Sequence, residues 1–324
     1  MSIFDKRVAF KPFEYPEVTE YKDAINHSYW LVSEWSFISD IHDFNTKLNK
    51  PEQTAIKNAL LAISQIEVSV KKFWSNLGDR FPKAEFEQVG ITFGESEVRH
   101  ADAYSHLLEV LGLNQEFDLI LQNPVIQGRV DYLTKYLRGA ADNSDQNYTL
   151  TLTLFSIFIE YVSLFSQFLI IKSFNKYKNV LKDTDNVVQA TQKEEEIHAK
   201  FGVHLIGKIR EEFPDWFNED FYNKLDRACR KAFEAEEKII DWIFEEGELS
   251  FLPKRVVVEF TKNRFNVAMS MIDGHQVFEV NRELLEEIRW FDDEILSELN
   301  TDFFYKKPVT YSKFSKPVTA GDLF

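Results

Sequence analysis

The chain has 324 residues, 44% of them apolar, and a formal charge of −15 from 53 acidic against 38 basic side chains. That much apolar material excludes a disordered or fibrous protein and is ample for a buried core. The acid excess repels phosphate backbones and anionic bilayers, so nucleic acid and membrane are poor partners.

Only 11 glycines and 9 prolines punctuate the chain, about half the ordinary share of ~12%. With no Val/Ile/Thr alternation bounded by Asn-Gly or Asp-Gly, the expected class is all-α, built from long helices. Residues 1–22 read as an extended arm carrying Pro12 and Pro16, followed by a helix near 23–33. Lys50-Pro51-Glu52 opens a helix that runs to about Leu77, with proline in its first turn. The stretch NLGDRFPKAEFEQ turns, and a second helix runs from about Lys83 to Leu111, where Gly112 and Asn114 stop it. A shorter helix follows from Pro124 to Ala141, then one over 147–174. After the polar turn KYKNVLKDTDN comes a helix from about Asp185 to Phe213, stopped by Pro214, and two more over 218–246 and 253–288. The helical body is expected to fill residues 1–300; from 301 to 324 the Lys/Pro/Ser/Thr-rich FFYKKPVTYSKFSKPVTAGDLF reads as a flexible tail.

The start MSIFDKRVAFKPFEYPEV has no apolar run to serve as a secretory leader, and the single cysteine, Cys229, cannot form an internal disulfide. A cytoplasmic protein is therefore expected. Leu150 to Ile171 is apolar enough to span a bilayer, but Glu160 sits near its centre, where lipid would charge it about 2.5 kcal/mol or more. The stretch is expected to be a buried core helix.

That glutamate is the first sign of chemistry. Two of the seven histidines have a glutamate three positions earlier, Glu97-x-x-His100 and Glu195-x-x-His198. With 32 glutamates in the chain, such pairs alone carry little weight. Glu67 in ALLAISQIEVSV and Glu160 in FSIFIEYVSLF carry more, because glutamate is rarely buried unless paired or bound to metal. Glu67 precedes Glu97 by 30 residues and Glu160 precedes Glu195 by 35, with midpoints at residue 82 and between 177 and 178. Both midpoints fall in turns already read from composition. Each half of the chain thus offers an antiparallel helix pair with a carboxylate level with a Glu-x-x-His, whose members share one helix face. Four buried carboxylates and two imidazoles call for two divalent cations, and one imidazole per metal suits iron or manganese better than zinc. This is the ligand set of the ferritin-like di-iron and di-manganese carboxylate proteins.

Over nearly its whole length the chain resembles the small subunit of class I ribonucleotide reductase. The resemblance implies a ferritin-like helix bundle in which Glu67, Glu97, His100, Glu160, Glu195 and His198 hold the metals. Tyr104, four residues after His100, stands where the family keeps its radical tyrosine. For electron transfer the family has a tryptophan upstream of the first ligand; Trp30 fits better by offset than Trp35. Glu194 stands where the family usually has the aspartate that precedes the last Glu-x-x-His. In the tail, Phe303-Phe304 precede Tyr311, ahead of Gly321-Asp322-Leu323-Phe324. Such a tail docks on the large catalytic subunit and supplies a relay tyrosine, with Tyr305 as the competing candidate to Tyr311. A homodimer is implied as well.

Many members have aspartate at the first ligand, whereas Glu67 resembles the manganese-using branches. Lys71 lies one turn beyond it, where an ammonium could hydrogen-bond a ligand or draw in an anionic oxidant. The expectation is a dimanganese cofactor oxidised by superoxide, with a di-iron centre oxidised by O2 as its competitor. Rival readings are a ferritin-like oxidase acting on a lipid in its own bundle, a metal-storage protein and a helical interaction module. The tail with Tyr311 speaks against the first, chain length against the second, and six ligands at matched heights against the third.

Overall fold

The computed structural model describes residues 2–139 and 144–295, without the side chains of residues 67–70, 117, 118, 121 and 132–139. Among the described residues every regular element is helical, as the class expectation required. In chain order these are α1 (Thr19–His27), α2 (Ile38–Thr46), α3 (Lys50–Ser75), α4 (Leu77–Arg80), α5 (Ala84–Val110), α6 (Asn114–Leu119) and α7 (Pro124–Gly139). They continue as α8 (Asp145–Leu154), a π-helical segment (Phe155–Ser163), α9 (Phe165–Lys178), α10 (Lys182–Glu212), α11 (Glu219–Ile243), α12 (Lys254–Ser270) and α13 (Arg282–Glu286).

Local chemistry sets the helix ends. Asn49 Oδ1 accepts from the Glu52 N–H at 3.1 Å, and Glu52 Oε2 accepts from the Asn49 N–H at 2.9 Å, a capping box that starts α3 and is worth about 1 kcal/mol. The start of α10 is capped from outside: the buried Asp40 of α2 accepts from the Thr184 N–H at 2.7 Å and from its hydroxyl at 2.8 Å. Helix α2 was not anticipated, and α1 begins at Thr19 and ends at His27 rather than covering 23–33. The helix expected over 253–288 stops at Ser270. Asp273 there adopts a left-handed φ of 59°, and the Gly274 N–H turns back to the Met269 carbonyl at 2.8 Å. This backbone reversal ends the helix although the apolar pattern carries on through Met271-Ile272.

Helix α3 pairs with α5, and the π segment and α9 pair with α10. The two pairs close on each other through α3–α9 and α5–α10 contacts. The reversal between Ser75 and Ala84 contains the expected midpoint at residue 82, and the one between Lys178 and Lys182 begins just beyond the midpoint expected between 177 and 178. Two glycines permit the close approaches. A Cβ on Gly90 would lie 2.4 Å from the Trp74 carbonyl, and one on Gly202 would lie 2.1 Å from Ser156 Oγ. The apolar stretch within Asp145–Lys178 is wholly buried, as expected of a core helix. Helices α7, α11 and α12 pack around this four-helix centre. The tail from residue 301, with Tyr305 and Tyr311, lies outside the described residues.

Candidate metal centre

Four helical segments carry the candidate ligands. Helix α5 carries Glu97 and His100, α10 carries Glu194, Glu195 and His198, the π segment carries Glu160, and α3 carries Glu67, whose side chain lies outside the described residues. Ligand atoms of Glu97, Glu160, Glu195 and His198 all lie within 4.8 Å of one another, and all four side chains are buried. His198 Nδ1 is 3.0 Å from Glu97, 3.4 Å from Glu195 and 3.5 Å from Glu160. His100 Nδ1 is 3.0 Å from Glu195 and 3.4 Å from Glu97.

Both oxygens of Glu97, both of Glu195 and Nδ1 of His198 are fully buried with no hydrogen-bond partner. A folded protein rarely leaves such a cluster of polar atoms unsatisfied. Burial and the charges of Glu97 and Glu160 push Glu195 well above the usual carboxylate range. Burial opposes a charge on His198, but Glu97 and Glu160 outweigh it and raise this histidine to about 10. Glu97 goes the other way: burial would raise it, and the positive His198 beside it holds it well below the usual range. The cluster thus holds protons that cations would displace, and its carboxylate-imidazole donor set fits two such cations.

The outward faces of the two imidazoles fix which nitrogen each would offer a metal. His100 Nε2 lies 2.8 Å from Glu194 Oε2, and a carboxylate only accepts, so Nε2 carries hydrogen and Nδ1 is left to face inward. Glu194 in turn receives Arg99 Nη1 and Nη2 at 3.3 and 3.1 Å. His198 Nε2 lies 3.0 Å from Ser96 Oγ, whose own proton goes to the Phe93 carbonyl at 2.8 Å. Serine therefore accepts from Nε2, and His198 too is left with Nδ1 inward.

Trp30 is buried, and its ring stacks on His100 at 5.9 Å and 14°. Trp35, half-buried, packs on Trp30 at 5.5 Å and stands one ring further from His100. Tyr104 is fully buried on the Glu97–His100 side of α5. Lys71 lies one turn beyond Glu67 on α3 and is half-buried. Sequence reasoning missed three neighbours of the ligands. Trp74 of α3 donates its indole N–H to Glu160 Oε1 at 2.8 Å, Ser96 holds His198, and Arg99 forks onto Glu194. Trp74 could have been suspected, since it follows Glu67 by seven residues, two turns along the same face of α3.

Comparison with known proteins agrees with this geometry. The family model described as "Ribonucleotide reductase, small chain" matches residues 7–284. A probable ribonucleoside-diphosphate reductase small subunit of Invertebrate iridescent virus 3 is 26% identical over 327 residues, covering 95% of this chain and 85% of that protein. Among solved structures, the ribonucleotide reductase R2 subunit from Clostridium botulinum superposes with a TM-score of 0.78 at 17% identity, over 87% of this chain and 89% of that one. Dimanganese(II)-NrdF from Streptococcus sanguinis gives 0.71 at 16% identity, over 88% of this chain and 100% of that one. The structural likenesses fix the ferritin-like fold, and the match across residues 7–284 makes the chain a member of the ribonucleotide reductase small-chain family.

Proposed function

We infer that this chain is the radical-generating subunit of a class I ribonucleotide reductase, which makes the oxidising equivalent that starts nucleotide reduction in a large catalytic subunit. The observation that carries this reading is the buried, hydrogen-bond-starved cluster of Glu97, Glu195 and His198, in a chain whose family makes deoxyribonucleotides. Glu67, Glu97 and His100 would hold one metal, and Glu160, Glu195 and His198 the other. When bound, the two metals supply the one-electron oxidising power.

The protein's residues do the rest. Glu194 and Ser96 fix the imidazoles with Nδ1 toward the carboxylates. Trp74 restrains one oxygen of Glu160. The wall of Trp74, Phe93, Phe155 and Phe201 excludes water from the His198 side. Trp30, stacked on His100, is the first relay toward the surface, and Tyr311 of the tail is the relay at the large subunit. Tyr104 is the candidate radical tyrosine. The active unit is a homodimer in the cytoplasm, docked to the large subunit through its tail.

The finer reading is a dimanganese cofactor oxidised by superoxide. The long arm of Glu67 and the ammonium of Lys71 one turn away support it. Metal analysis after expression with manganese and iron both supplied, followed by EPR and turnover with the large subunit of the same organism, tests both levels. Two manganese ions per chain and activity after exposure to superoxide are expected. Di-iron content with a tyrosyl doublet at Tyr104 would reject the dimanganese assignment, and Tyr311→Phe with unchanged turnover would remove Tyr311 from the path.

A further inference from the structure

The π segment that presents Glu160 is held by buried arginines outside the ligand cluster. Arg264 of α12 is buried, and its Nε and Nη2 donate to the Tyr161 carbonyl at 3.1 and 2.7 Å. Its Nη2 also donates to Glu196 Oε1 at 3.1 Å. The guanidinium lies 3.7 and 3.8 Å from the ring centroids of Tyr161 and Phe165. Arg129 of α7 donates to the Ser163 carbonyl at 2.6 Å, to the Ala62 carbonyl of α3 at 3.2 Å and to Glu236 at 3.0 Å.

The two arginines differ in what they join. Arg129 ties the end of the π segment to α3 and α11. Arg264 ties the residue after Glu160 to the residue after Glu195, and so spans the two carboxylates of one metal position at a remove of one residue each. A π turn is an uncommon pitch that persists where surrounding groups hold it. Two forked bonds on one of its carbonyls, from a guanidinium packed against two rings, are a stiff way to hold it. A hydrophobic pair of similar volume could fill the same space, and a buried ion pair is weak evidence for stability by itself.

We propose that Arg264 and Glu196 form a positioning clamp that sets where Glu160 stands relative to Glu195, and with it the affinity of the metal position those two share. Among the described residues neither makes a hydrogen bond or ion pair to the cluster atoms; both act through the peptide next to a candidate ligand. The clamp rests on the dinuclear reading above.

The test is anaerobic titration of the full chain with Mn(II) alone, read by EPR of free Mn(II), beside thermal unfolding of the metal-free protein. Wild type is expected to take two Mn(II). Arg264→Met takes the hydrogen-bond donor from the buried Glu196 and loses stability, so the decisive protein is the double variant Arg264→Met/Glu196→Leu. It is expected to fold and to unfold no lower than Arg264→Met alone, yet to bind one of its two Mn(II) ions about 10–100-fold more weakly. Two Mn(II) bound with wild-type affinity in the double variant would overturn the clamp. So would a double variant that does not fold, because the pair would then be holding the bundle and not aiming a ligand. Wild type taking fewer than two Mn(II) would instead break the dinuclear reading itself.

Discussion

His100 and His198 both turn Nδ1 inward, but their surroundings differ. Behind His100 stands a charged chain, Glu194 to Arg99 to Glu95, with the Arg99 guanidinium 5.6 Å from the Trp30 ring and 4.6 Å from that of Tyr29. Behind His198 stands a neutral hydroxyl, and around it lie Phe93 at 4.2 Å and Trp74 at 6.0 Å. The His100 side leads outward: Trp30 meets the half-buried Trp35, and Tyr29 is 52% exposed. Trp74, by contrast, is fully enclosed, and its one polar atom is spent on Glu160. Two Glu-x-x-His pairs of the same chemistry thus stand in different settings. A carboxylate behind an imidazole raises its basicity, and here it lies on the side whose rings lead outward, whereas a hydroxyl and an aromatic wall back the other imidazole.

Replacing the tryptophan on each side separates the two roles. Trp30→Phe is expected to keep both metals and the stacked contact with His100 while turnover with the large subunit is lost, since phenylalanine fills the space but is not oxidised in its place. Metal content and steady-state turnover of one preparation check this; a variant that turns over normally would strip the His100 side of its outward role. Trp74→Phe should do the reverse. Losing a hydrogen bond to a charged oxygen costs about 1.5–3 kcal/mol, so Mn(II) affinity should fall roughly 10–150-fold. Turnover at saturating metal should survive. A competition titration against a metal chelator measures the first effect, and turnover lost even at saturation would make Trp74 part of the path.

The parts legible beforehand share a physical basis. Scarce glycine and proline leave long helices as the economical reading, and Glu67 and Glu160 stand out because carboxylates do not belong in apolar runs without a partner. Their spacing to Glu97 and Glu195 then locates two helix reversals, one of which contains the expected midpoint while the other begins just beyond it. The π segment was not legible, because Phe155–Ser163 presents the same apolar letters at either pitch. Trp74, Ser96 and Arg264 act across helices, so their partners depend on inter-helix register and not on local sequence. The end of α12 was hidden because it is made by backbone geometry at Asp273, within a pattern that continues to look helical.

The smallest effect is the sharpest test of the asymmetry. Ser96 and Glu194 do the same geometric work, each accepting from Nε2 of a ligand histidine, but only Glu194 is charged and paired with Arg99. Ser96→Ala removes a neutral bond worth about 0.5–1.5 kcal/mol, so Mn(II) affinity should drop only about 2–13-fold. The freed His198 ring is still packed by Phe93 at 4.2 Å and keeps its orientation. Glu194→Gln keeps a hydrogen-bond acceptor but leaves Arg99 with the partly exposed Glu95 as its remaining carboxylate partner, and is expected to lower affinity about 10–100-fold. Paired Mn(II) titrations read the ratio directly. Equal losses would mean that the charge behind His100 adds nothing to its hold on the metal, and that Glu194 and Ser96 differ in composition but not in effect.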